Sequence, residues 1–324
     1  MKILFVCYGG GHSKIVRKVI DELLDEDVSI AVLALTGAIL DFEDIKNKVQ
    51  IFQFKHFVFD DESLSYGNML LSTVHKPIDE KETVAYLGRS FGELVDDYGL
   101  KKAKELFAKK GRQCFLPLKT LQVILDRISP DLVFTTNSPR AEKAALIVAK
   151  NMGIKTIACV DLYPKASFSW ISKYADSVLV LNEKIKATLI SYGLSEAKIF
   201  VTGNPNIESF HFSNIRQGVV QSEYPCILFA SQAIQDSRTG KKGSQVFLKN
   251  IDRELGDLAE KHPEWLIAMR LHPGENDREI PIGVHNFSDI KLDSALEKVT
   301  VLVTMTSTLG VQAHCKGIPV VELR

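Results

Sequence analysis

Two short segments in the last third of the chain carry side chains suited to a phosphorylated ligand. The first, Arg270-Leu271-His272-Pro273-Gly274, closes an apolar run that begins at Trp265. On a strand, Arg270 and His272 fall on the same side, so a guanidinium and an imidazole can converge on phosphate oxygens, and Pro273 with Gly274 ends the strand abruptly. The second, Thr304-Met305-Thr306-Ser307-Thr308-Leu309-Gly310, stands between another strand and a helix expected from about Ser307. Hydroxyls and amides at such a turn donate to an anion, with the helix dipole in support. Taken singly, these are a strand-end histidine and an ordinary N-cap. Taken as neighbouring strand ends of one sheet, they make a phosphate site.

Two further candidates lie in the first half. Gly9-Gly10-Gly11-His12-Ser13 follows an N-terminal apolar run and opens a helix at about Ser13. Glycines there let backbone approach a ligand; His12 at its mouth is either a functional group or a plain first-turn histidine. Asp161, just after Ile157–Val160, is either a general base or the N-cap of the next helix. Asn137-Ser138-Pro139-Arg140 occupies the preceding strand end and reads as a simple helix start.

Other chemistries lack their residues. The glycine run is not GxGxxG, because Lys14 stands where the last glycine would be, and it is not GxxxxGK[ST]. Dinucleotide binding is therefore disfavoured. The 8 histidines are dispersed and the 5 cysteines, Cys7, Cys114, Cys159, Cys226 and Cys315, show no CxxC spacing, so no metal site is expected. Gly-x-Ser-x-Gly is absent, which disfavours a serine nucleophile.

These residues must be positioned by strands and helices in alternation. Ile3–Cys7, Ser29–Leu35, Leu132–Thr135, Lys155–Val160, Ser177–Leu181 and Ile199–Thr202 are short apolar runs separated by amphipathic patterns, as in a parallel sheet covered on both faces. Cys226–Ala230, Trp265–Leu271, Val299–Val303 and Pro319–Leu323 predict a second, smaller sheet. Gly203-Asn204-Pro205-Asn206 breaks the pattern, and a domain boundary is expected at about residue 215. From about 60 to 115 the alternation stops: Asp60-Asp61-Glu62 and a polar helical pattern from Asp79 predict a helical insertion over the N-terminal sheet, with an acceptor-binding lid as the alternative.

At 324 residues the chain fits two domains of about 150 residues each. Lys plus Arg and Asp plus Glu are both 40, so no net field draws nucleic acid and a small-molecule partner is expected. Scattered cysteines read as thiols in a reducing cytosol. The apolar N-terminus stops at Tyr8-Gly9, too short for a signal or membrane segment, so a soluble cytoplasmic protein is expected. Met69-Leu70-Leu71 is either core or a peripheral contact with the inner face of a membrane.

Pro130-Asp131-Leu132-Val133-Phe134, Gly153-Ile154-Lys155, Tyr174-Ala175-Asp176-Ser177 and Ile199–Asn204, then Arg270–Pro273, Ser307–Gly310 and Gly317–Val320, follow one another in a familiar order. Over most of its length the chain resembles the GT-B superfamily, which groups nucleotide-sugar glycosyltransferases with the UDP-N-acetylglucosamine 2-epimerases. The His-Pro pair and the Ser/Thr turn are similar to those of bacterial sialyl-, Kdo- and capsule-type transferases. The resemblance implies an α/β fold of two Rossmann-like domains facing a cleft: 1–215 on the acceptor side and 216–324 holding the nucleotide sugar. Members usually continue into a final crossing helix, so by the resemblance the end at Arg324 suggests either a truncated or an atypical form with weakened closure.

By the same resemblance, Gly10, Gly11, Asn204, Gln232, Arg270, His272, Pro273, Ser307, Thr308, Leu309 and Gln312 would bind the nucleotide sugar, and His12 or Asp161 would be the catalytic base. Many members have Glu where Gln312 stands; glutamine keeps the hydrogen bonds to ribose but not the charge. The implied activity is metal-independent transfer from a UDP- or CMP-linked sugar, a substrate rather than a cofactor, to a glycan or lipid-linked acceptor in bacterial surface polysaccharide synthesis. A homodimer is an accompanying expectation. One alternative is an epimerase-like isomerase or hydrolase. Against it, the family's His-Gly-Asp corresponds to Thr136-Asn137-Ser138 and its His-Arg-Arg-Glu to Ser231-Gln232-Ala233-Ile234, which leaves only Asp161 matching in type. The other alternative is a non-catalytic nucleotide-binding partner subunit.

Overall fold

Runs of Val, Ile and Leu without polar interruption form strands that can be buried on both faces, and in the computed structural model they do so in two parallel sheets. The structure describes residues 1–58, 60–74, 78–160, 169–205, 224–232, 241–272, 275, 278–305 and 307–323, with backbone only for 241–245 and Thr308. The chain divides into two compact units, Met1–Asn206 and Ile207–Arg324. The boundary expected at about residue 215 falls among residues 206–223, outside the described residues.

The first unit holds a sheet of β1 (Lys2–Tyr8), β2 (Ser29–Leu35), β3 (Gln50–Phe52), β4 (Leu132–Thr135), β5 (Lys155–Val160), β6 (Ser177–Val180) and β7 (Ile199–Val201), in the order β3-β2-β1-β4-β5-β6-β7. β1 pairs with β2 from Lys2↔Ser29 to Tyr8↔Leu35, and with β4 from Ile3↔Leu132 to Val6↔Thr135. Its side chains alternate between two cores: Leu4, Val6 and Tyr8 in one, Ile3, Phe5 and Cys7 in the other. The chain winds outward from β1 in both directions, so the carboxyl ends of β1 and β4 flank the point where strand order reverses. Open α/β sheets bind ligands at such a point.

Helices cover both faces. α1 (Gly11–Leu23) follows β1; α2 (Asp61–Leu71), α3 (Glu80–Tyr98) and α4 (Leu100–Lys110) occupy the 60–115 segment. Leu70, Tyr86, Phe91, Leu94 and Ala103 from these three helices pack into the core that holds Leu4 and Val6. α5 (Leu118–Ile128) and α6 (Ala141–Asn151) bracket β4, and α7 (Trp170–Tyr174) and α8 (Glu183–Ser191) bracket β6.

The second unit holds β8 (Cys226–Ala230), α9 (Lys241–Lys261), β9 (Leu266–Arg270), β10 (His285–Asn286), α10 (Leu292–Lys298), β11 (Val301–Thr304), α11 (Thr308–Cys315) and β12 (Val320–Glu322). Its strand order is β10-β9-β8-β11-β12. This corrects one expectation: the strands ending at Arg270 and Thr304 are not adjacent, because the chain reverses direction after β10 and brings β11 in beside β8. Ser231 and Gln232, at the end of β8, therefore stand between the two expected phosphate-binding segments. The short edge strands β3 and β10 were not expected either, since two or three residues show no periodicity. Among the described residues, no helix is long and apolar enough to cross a membrane.

Candidate functional site

The loop after β1 is shaped by two glycines. Gly10 has φ 85°, a conformation that L side chains rarely adopt, and it precedes the first turn of α1. A Cβ on Gly9 would stand 3.1 Å from the backbone of Gly37 and Ala38, so the loop after β2 lies directly against it. Asp41, at the end of that second loop, accepts the Ser13 hydroxyl, and its carbonyl accepts Arg17 Nη1 at 2.9 Å. The start of α1 is thereby held, with His12 on its first turn.

His12 faces a carboxylate from α6. Its Nδ1 lies 3.5 Å from Glu142 Oε1 and pairs with the Thr136 hydroxyl, while Thr136 Oγ1 donates to Glu142 Oε2 at 2.5 Å. Glu142 also accepts the Tyr8 amide at 3.1 Å and the Ser138 amide at 3.2 Å; its side chain is 0% exposed, that of His12 27%. Burial works to raise the Glu142 pKa, but the hydrogen bond and the charge attraction of His12, with the hydrogen bonds of Thr136 and Ser138, outweigh it and hold the carboxyl below its ordinary value. An ionised carboxylate only accepts. The single hydroxyl proton of Thr136 therefore goes to Glu142, and Thr136 Oγ1 must accept from His12. In the neutral imidazole Nδ1 accordingly carries the proton, and Nε2 is the basic nitrogen.

At the second sheet, Arg270 Nη1 donates to the carbonyls of Phe287 (2.5 Å) and Ile290 (2.7 Å), which ties this edge of the guanidinium to the segment after β10. Only the remaining guanidinium edge can serve a phosphate. His272 is exposed, and its turn is closed by Glu275, whose carboxylate accepts the His272 amide at 2.9 Å while its amide donates to the His272 carbonyl at 2.8 Å. The other Glu275 oxygen accepts the Ser231 hydroxyl at 2.8 Å and Arg278 Nη1 at 3.0 Å; Arg278 Nη2 reaches Asp252 at 2.5 Å. A half-buried ion-pair network thus joins the ends of β8 and β9.

Ser307 is the N-cap of α11: its hydroxyl accepts the Leu309 amide at 3.2 Å, and its own amide donates to Thr304 Oγ1 at 3.3 Å. That amide of Leu309 is spent on the cap. On the same helix, Gln312 Oε1 is buried without a hydrogen-bond partner. Gln232 is half-buried at the end of β8, and Asn204 is buried after β7. Asp161 and Pro273 lie outside the described residues, as does Thr306, and of Thr308 only the backbone is described.

The structure brings His12 to Thr136, Ser138 and Glu142, a grouping that sequence reading passed over as a helix start. The signal in the sequence is a single acidic residue on the apolar side of Ala141-Glu142-Lys143-Ala144-Ala145, which an N-terminal helix turn explains equally well. Among the described residues, no group of three or more His, Cys, Asp or Glu could hold a metal ion.

No family model matches the chain, and no curated protein matches it. Among solved structures, the chain is similar over 100% of its length to the UDP-GlcNAc 2-epimerase from Neisseria meningitidis bound to UDP-GlcNAc, with 17% identity, 83% of that chain covered and a TM-score of 0.61. The S. aureus MnaA-UDP co-structure is similar over 100% of this chain and 79% of that one, at 11% identity and a TM-score of 0.61. The glycotransferase of kitacinnamycin is similar over 99% of this chain and 80% of that one, at 12% identity and a TM-score of 0.54. At such identities the likeness is one of fold. The chain accordingly has a GT-B-type fold, like that of the UDP-GlcNAc 2-epimerases.

Proposed function

We propose that the chain is a glycosyltransferase in which His12 Nε2 removes the proton from an acceptor hydroxyl as that oxygen attacks the anomeric carbon of a nucleotide sugar. The acceptor O–C bond forms, the bond from the anomeric carbon to the phosphate oxygen breaks, and the nucleotide departs with the electron pair. The proton order at His12, Thr136 and Glu142 carries this reading. A buried, ionised Glu142 fixes the tautomer in which Nε2 is basic and stabilises the imidazolium once the proton has arrived. His272, Gln232, Ser307 and the open edge of Arg270 lie at the carboxyl ends of β9, β8 and β11, where donors would stabilise the departing phosphate. The solved structures with UDP-GlcNAc and with UDP favour a uridine-linked donor over a cytidine-linked one.

A second reading has its own support, since the same fold serves 2-epimerases: the base at His12 would take a proton from sugar carbon instead of from a hydroxyl. Incubation with UDP- and CMP-sugars, with and without glycan or lipid-linked acceptors, separates the two. Transfer gives product only when both substrates are present, and it falls at least about 100-fold in His12→Ala, the scale of a lost general base. Glu142→Gln falls comparably, because an amide can donate and so reverses the proton order. Deuterium at C2 from heavy water, without acceptor, decides for the isomerase. Nucleotide binding with neither product points to a partner subunit.

A further inference from the structure

The loop after β4 holds a cation that the chemistry at His12 leaves unused. Arg140 stands just before α6, two residues ahead of Glu142, at the carboxyl end of the sheet. Its guanidinium carbon lies 4.2 Å from the centroid of the Tyr8 ring. Tyr8 and Tyr86 are buried with their hydroxyls 2.7 Å apart, and the Ala141 amide donates to the Tyr8 hydroxyl at 3.2 Å. The Arg140 Nε is buried without a hydrogen-bond partner, and no carboxylate closes an ion pair with Arg140 among the described residues. Glu142 is already engaged by His12, Thr136, Ser138 and the Tyr8 amide. Burial works to lower the pKa of Arg140, yet attraction to Tyr8, Tyr86 and Glu142 leaves it raised, so the group is a cation throughout the physiological range.

A guanidinium whose partners are neutral, the Tyr86 hydroxyl by hydrogen bond and the Tyr8 ring by its face, with Nε left over, is costly, because desolvation of a charge exceeds what such contacts return. Its planar fork, held over the Tyr8 ring, matches a carboxylate or a phosphate. Tyr8 binds Arg140 through its ring and Glu142 through its amide, so the cation and the His12 imidazole are anchored on one Tyr8–Glu142 pair.

We propose that Arg140 is the anion-recognition residue of the first unit, and that the substrate presented to His12 carries a carboxylate or phosphate group. The role of that substrate as acceptor rests on the transferase reading above; the anion site does not. In the test, glucuronate, glucose 6-phosphate and, as their neutral twin, glucose are titrated calorimetrically into wild type, His12→Ala, Arg140→Met and Arg140→Lys, and inorganic phosphate separates a sugar ligand from a free anion. Wild type and His12→Ala are expected to bind at least one acidic sugar at least about tenfold more tightly than glucose, the equivalent of one charge-assisted hydrogen bond. Arg140→Met loses that preference, and Arg140→Lys, which keeps the charge but not the fork, recovers part of it. The preference of glucuronate over glucose 6-phosphate, or the reverse, names the anion. Equal binding of acidic and neutral sugars by wild type overturns the proposal, as does an undiminished preference in a folded Arg140→Met protein. Anion binding that depends on Arg140 in a protein that transfers sugar to no acceptor sinks the transferase reading and leaves the anion site standing.

Discussion

Glu82 is the residue whose surroundings set the clearest pH dependence. It is 0% exposed on α3, where its two oxygens accept the amides of Thr36 at 3.5 Å and Lys55 at 3.0 Å. Burial pushes its carboxyl up to about 7, against the hydrogen bonds of these amides and the nearby Lys55 charge, which lower it. A carboxyl raised on folding stabilises the native state fully below its unfolded value of 4.5, and that contribution is lost as pH rises through about 7. The difference amounts to about 3 kcal/mol. Denaturant unfolding of the whole chain is expected to lose stability between pH 5 and pH 8, with the slope flattened in Glu82→Gln whatever that variant's absolute stability. An unchanged slope would remove Glu82 as its source. Thr36, at φ 53°, opens the loop that supports Gly9, so this carboxylate lies one contact away from the His12 loop.

At the scale of elements, α2 and α3 cross closely enough to exclude side chains. A Cβ on Gly88 would lie 1.9 Å from the Ser63 carbonyl oxygen, and one on Gly67 would lie 2.1 Å from that of Val84. Backbone cannot yield here as a side chain can, so Gly88→Ala is expected to cost at least about 2 kcal/mol, measured as a shift in the denaturation midpoint. A loss below about 0.5 kcal/mol, the ordinary effect of a surface change, would show that the crossing adjusts freely. The helix pair is built on Asp60 and Asp79, whose side chains cap α2 and α3 by accepting the amides of Ser63 and Glu82. The acidic cluster at 60–62 in the sequence is thus partly a helix start.

For the molecule as a whole, the proposed duties fall on different units: proton transfer on Met1–Asn206, nucleotide binding on Ile207–Arg324. Calorimetry with UDP, CMP, GDP and CDP is expected to show one nucleotide bound well above the others. In His272→Ala that affinity falls at least about tenfold, the worth of one good hydrogen bond to a charged group, while His12→Ala leaves it in place. Equal loss in both variants would break this division of labour, and binding of no nucleotide would remove the second site.

Residues near one another in sequence decided much of this protein. Ser29–Leu35 and Lys155–Val160 read as strands because short, mainly apolar runs of this length suit burial on both faces of a sheet, and the 3.6-residue pattern from Asp79 read as helix for the matching reason. The exposed His272 turn and the Ser307 cap were legible for the same cause, since each is a local device at the end of an element. Strand order was not local. Only the tertiary structure put β8 between β9 and β11, and only the pairing of β1 with β4 carried Glu142 to the amide of Tyr8, 134 positions away, and to the imidazole of His12. A buried carboxylate acquires its chemistry from what it faces, and periodicity records which side of an element a residue is on without recording what lies opposite.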